Sequence, residues 1–112
     1  MIPDGDSSDP QYWRENSDFG NADDPLIIKR DRDMIRDIFK TKTVKNAISG
    51  PQEVLELGCG TGGSSTTLYE SLHGLSGVFV RTYHLNDLVE TKVLGARKKI
   101  LDLEMKIRLQ TE

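Results

Sequence analysis

The chain has 112 residues, 15 basic and 18 acidic side chains for a net charge of −3, and a single cysteine, Cys59. That length suits one folded unit with a tail, and the near balance of charge supplies no field that would draw in nucleic acid or an anionic membrane. One cysteine excludes an intrachain disulfide or a cysteine-based metal site and makes a reducing, cytoplasmic compartment the expectation; no run approaches the roughly 18 apolar residues of a membrane span, and the start lacks a signal-peptide layout.

Residues 1–24 are rich in Asp, Ser, Gly, Pro and Asn, a composition that buries too little apolar area to offset ordering entropy, so a flexible N-terminal segment is predicted. Tyr12, Trp13 and Phe19 interrupt it and are expected to dock on the domain surface. Asp24-Pro25 reads as an N-cap followed by proline at the first helical position. From there Ile27, Ile28, Met34, Ile35, Ile38 and Phe39 recur at helical spacing, with Lys29 to Asp33 on the wet side, so an amphipathic helix is predicted to about Lys40.

A turn-rich break from Asn46 to Pro51 precedes Glu53 to Leu57, a short strand. Gly58 to Gly63 is a glycine-dense loop, and Ser64 to Leu72 reads as a helix that Ser64, Ser65, Thr66 and Thr67 could cap. Gly77 to Tyr83, dominated by β-branched and aromatic residues, is a second strand. A third helix is predicted from about Asp87 to Ile100. Beyond it two periods compete: Val89, Val93, Ala96, Ile100, Leu103 and Ile107 form a heptad seam suited to one long helix, whereas Leu103, Met105, Ile107 and Leu109 also alternate with polar residues as in a half-buried strand. The strand over 104–110 is favoured, because it completes a βαβαβ order. His73 and His84 are too isolated for metal ligation, so no metal site is expected.

The chemistry lies in the glycine loop. Glycines at 58, 60, 62 and 63 let the chain turn out of a strand and bring backbone amides close to a ligand, with a helix N-terminus behind them. Gly58-x-Gly60-x-x-Gly63 also satisfies the dinucleotide fingerprint. Glu56 discriminates: two residues ahead of the first glycine, its carboxylate would face the pocket, where it repels a pyrophosphate by about 1 kcal/mol or more at close range but attracts a cationic, amino-bearing ligand.

At these residues the chain resembles the class I S-adenosylmethionine-dependent methyltransferases, whose first motif is an acidic residue, one residue, then Gly-x-Gly-x-Gly, matched by Glu56-Leu57-Gly58-Cys59-Gly60-Thr61-Gly62. The resemblance implies that Glu56 meets the methionine end of S-adenosylmethionine and that the loop residues Gly58, Cys59, Gly60, Thr61 and Gly62 line it closely. It also implies an acidic residue at the end of the second strand that grips the ribose hydroxyls. Asp87 is the match, nine residues before Ala96-Arg97. The implied fold is a partial Rossmann-like, three-layer α/β domain over 25–112 with a short parallel sheet. A full domain of that class has seven strands, so this chain, which stops about where the third would end, is expected to be a truncated cofactor-binding part with no residues for the methyl acceptor and no assigned catalytic residue. Its open sheet edge calls for a second copy or a partner chain. The alternative is a non-catalytic remnant of that fold serving as an interaction module.

Overall fold

A computed structural model describes Ser8 and residues 24–111, with side chains as far as Arg108. The docking expected of Tyr12, Trp13 and Phe19 falls outside the described residues. The chain from residue 24 onward is a small α/β domain of helices on a two-stranded parallel sheet. Among the described residues no helix is long and apolar enough to cross a membrane.

Helix α1 spans Pro25–Phe39. Asp24 caps it as expected: its Oδ1 accepts from the Leu26 amide at 2.9 Å, and proline fills the first turn, where its missing N–H costs nothing. The apolar stripe is only partly used. Ile27, Ile28, Ile35 and Phe39 are half-buried, while Met34 and Ile38 stay exposed. Arg32, assigned to the wet side, is instead half-buried, because α1 packs on the glycine loop and the helix behind it. A short helix α2, Lys42–Ala47, follows, capped by Thr41, whose Oγ1 accepts from the Val44 amide. Six residues are too few to show a helical period, so no pattern announces it.

Strand β1, Gly50–Leu57, runs parallel to β2, Val78–Asn86. β1 begins three residues before its sequence signal, and β2 starts one residue later than its signal and ends three residues beyond it. Pro51 is tolerated because β1 is an edge strand, where a missing donor need not break the ladder. The register runs from Gly50 opposite Val78 to Leu57 opposite Asn86, with a slip that leaves Arg81 as an extra residue in β2. Helix α3, Ser65–His73, lies between them in sequence, so the β1-α3-β2 unit is the crossover that parallel strands require.

One expectation fails. Residues 104–110 are not a strand: α4 runs unbroken from Glu90 to Thr111, so the order is βαβα and the sheet has two strands. No glycine or proline interrupts residues 97–110, and the helix is laced by i,i+4 pairs, Lys98 with Asp102 and Glu104 with Arg108. Its inner side continues the seam begun by buried Val89 just ahead of it, with Ala96 and Ile100 buried and Val93, Leu103 and Ile107 half-buried. Among the described residues the helices cover one face of the sheet. Residues of β1 alternate half-buried and exposed along their whole length, the mark of helices over one face, and Leu55 and Leu57 are 67% and 73% exposed on the other. The core is therefore one-sided, built from Tyr69, Leu72, Val78, Val89, Ala96 and Ile100.

Candidate functional site

The glycine loop leaves the carboxyl end of β1 and is pinned on every side. The amide of Cys59 donates to the carbonyl of Asn86 at 3.0 Å, carrying the ladder one step past β1. The Gly60 amide donates to Asp87 Oδ2 at 2.9 Å, the Gly62 amide closes a turn onto the Cys59 carbonyl at 3.1 Å, and Arg32 Nε donates to the Gly63 carbonyl at 2.7 Å.

Two glycines show why the motif needs them. Gly58 has φ +68° with open space where a side chain would stand, so what it supplies is a left-handed turn out of the strand. Gly62 has φ +88°, and a Cβ there would lie 2.8 Å from Ala96 Cα. The loop thus rests directly on the backbone of α4. Ala96, fully buried, is the small residue that permits this approach, which gives the Ala96-Arg97 match a packing role. Cys59 is 2% exposed and fills space beneath the loop. Thr61 is half-buried at the surface, with Lys99 Nζ 3.5 Å from its hydroxyl.

Asp87 follows β2 directly, as the resemblance requires, but its carboxylate is engaged by the protein. Oδ2 takes the Gly60 amide and Oδ1 takes the Val89 amide at 3.0 Å. One side chain therefore fastens the glycine loop to the start of α4. A carboxylate offers about four acceptor positions, so each oxygen keeps one for a further donor.

Glu56 is half-buried, on the helix-covered face of β1. Its Oε1 accepts from Ser65 Oγ and from Tyr83 Oη, both at 2.6 Å. The carboxylate is thereby set between β2 and the first residue of α3, turned inward more than its position in the strand suggested. Burial and the adjoining Glu56 carboxylate push the Tyr83 phenol well up, so it remains an O–H donor across the neutral range. Ser65 is spent on this contact, and Ser64, at the N-cap, makes no side-chain cap bond. Of the hydroxyls after the loop, Ser65 therefore serves the carboxylate and not the helix end.

The structure brings Glu56, the loop 58–63 and Asp87 to one end of the sheet. Sequence reasoning missed Ser65, Tyr83 and Arg32 as members of this cluster. For Tyr83 the only usable signal was the register, which sets it opposite Val54 and diagonal to Glu56. His73 lies apart: its Nε2 accepts from the Val80 amide at 3.3 Å and its ring rests on Tyr69, while His84 is exposed on β2. No protein family, curated protein or solved structure matches this chain.

Proposed function

We propose that this domain binds S-adenosylmethionine at the carboxyl end of β1, as the cofactor-binding part of a class I methyltransferase with a partial Rossmann-like fold. The observation that carries the reading is a carboxylate, Glu56, two residues ahead of a turn of left-handed glycines and held in place by Ser65 and Tyr83. Such a pairing suits a cationic ligand and disfavours a pyrophosphate. The residues fit the group: Glu56 toward the amino end, the backbone of Gly58, Cys59, Gly60, Thr61 and Gly62 along it, and the remaining acceptor positions of Asp87 toward the ribose hydroxyls. When bound, the ligand supplies an electrophilic methyl group on a sulfonium, and the protein's share is positioning and electrostatics. The methyl acceptor is left unassigned. We propose a cytoplasmic location, in keeping with a single buried thiol.

Calorimetric titration tests the reading. Saturable binding of S-adenosylmethionine and S-adenosylhomocysteine, weakened at least about tenfold in Glu56→Gln by the lost charge, supports it; binding of NADH in their place overturns it.

A second reading, an interaction module, is favoured by one specific feature: Leu55, Leu57 and Phe79 on the bare sheet face and Leu94, Leu101 and Met105 along α4 are all about half exposed or more. Two-stranded sheets with both edges open call for cover. Under this reading a second copy or a partner chain supplies it, and sedimentation across a concentration range would show self-association; a monodisperse monomer would argue against the homo-oligomer.

A further inference from the structure

Glu56 is held in an asymmetric way. Both donors, Ser65 Oγ and Tyr83 Oη, converge on the same oxygen, Oε1, each at 2.6 Å. Among the described residues Oε2 accepts no hydrogen bond. Among those same residues, no fully buried side-chain nitrogen or oxygen is left without a partner, so Oε2 is not sealed in the core and reaches the surface. Two hydroxyls fill the two acceptor positions of one oxygen and leave both positions of the other open. They come from different elements, the start of α3 and the middle of β2, so the carboxylate is fixed in rotation as well as in place.

We infer that Ser65 and Tyr83 are positioning residues that lock the Glu56 carboxylate with Oε2 presented to the ammonium group of the bound ligand. This rests on the proposed function, because it assigns the ammonium to S-adenosylmethionine. Neither hydroxyl touches the ligand. They act by removing the side-chain freedom that an exposed glutamate must otherwise lose on binding, and by holding the carboxylate against a rival turn toward solvent. The structure also explains why a tyrosine serves here: kept protonated by its surroundings, it donates without adding a second negative charge beside Glu56.

The test compares two ligands that differ only in the group concerned: S-adenosylhomocysteine and its analogue lacking the α-amino group. Each is titrated into the intact chain and into Tyr83→Phe and Ser65→Ala, with circular dichroism melts confirming that each variant is folded. The expected result is that either variant binds S-adenosylhomocysteine about tenfold more weakly, the loss appropriate to an ion contact that keeps its charge and loses its orientation, while affinity for the desamino analogue stays unchanged. A merely structural role would lower both affinities together. Equal losses for the two ligands, or no loss for either in a folded variant, overturn the inference and leave the binding site standing. Failure of the unaltered chain to bind either ligand instead removes the site itself, and the inference with it.

Discussion

Replacing Gly62 with alanine probes the contact on which the glycine loop is seated. The new Cβ faces two separate costs. At φ +88° an L side chain meets its own backbone, about 1–2 kcal/mol in the left-handed region, and the atom would stand 2.8 Å from Ala96 Cα and 3.0 Å from Ala96 Cβ. Backbone that cannot swing aside makes this overpacking, about 1–3 kcal/mol more. The sum, roughly 2–5 kcal/mol, is a large part of the 5–15 kcal/mol that a native domain holds. Gly58→Ala is the internal control, with φ +68° and nothing within 4 Å; it carries only the first cost. Urea unfolding followed by circular dichroism should place the Gly62→Ala midpoint below that of Gly58→Ala, with a fall from wild type of about 1 M or more. Ala96→Gly, which removes the opposing Cβ and softens α4, should recover part of the loss when combined with Gly62→Ala. A Gly62→Ala protein no less stable than Gly58→Ala, or a double variant whose losses merely add, would refute the packing argument.

Asp87→Ala should cost about 2–4 kcal/mol, since it strips the partners from two partly buried amides, Gly60 and Val89, whereas Asp87→Asn should cost less; thermal melts would show the difference, and equal melting temperatures for the three proteins would contradict it. Asp102→Pro should destabilise by about 3 kcal/mol and reduce the helical signal at 222 nm, because residue 102 lies inside a continuous helix; an unchanged signal would revive a break after Ile100. Burial pulls the His73 pKa below its ordinary 6.5, with the Glu104 carboxylate working the other way. The unfolded chain therefore binds the proton first as pH falls, and the contribution of neutral His73 is complete above about pH 6.5 and declines below it. Melting temperature should accordingly fall from pH 7 to pH 5, and His73→Phe should flatten that slope; a variant with the wild-type slope would show that other groups set it.

Local chemistry was legible wherever a residue's role depends on its neighbours in sequence. Asp24-Pro25 announced the start of α1, the glycines announced a turn out of a strand, and Asp87 stood where β2 ends. What was not legible depends on partners far along the chain. Leu103, Met105 and Ile107 satisfy a strand's period and a helix's equally well, and only the absence of a third strand and of a breaker decides for the helix. The hold of Tyr83 on Glu56, 27 residues apart in the chain, needs the register of the two strands, shifted by the slip that leaves Arg81 extra. Arg32 looked like one of five charges on a wet face, yet its reach to Gly63 follows from how α1 docks, which no window of sequence encodes.

The pairing of a carboxylate with a glycine turn to receive a cationic methyl donor is tested most directly by following the backbone amides of the isotopically labelled chain by NMR during titration with S-adenosylmethionine. Saturable shifts are expected at Gly58, Gly60, Gly62 and Ser65, with the far ends of α1 and α4 unmoved. Shifts produced by NADH in place of S-adenosylmethionine, or none at the loop with either ligand, would contradict it.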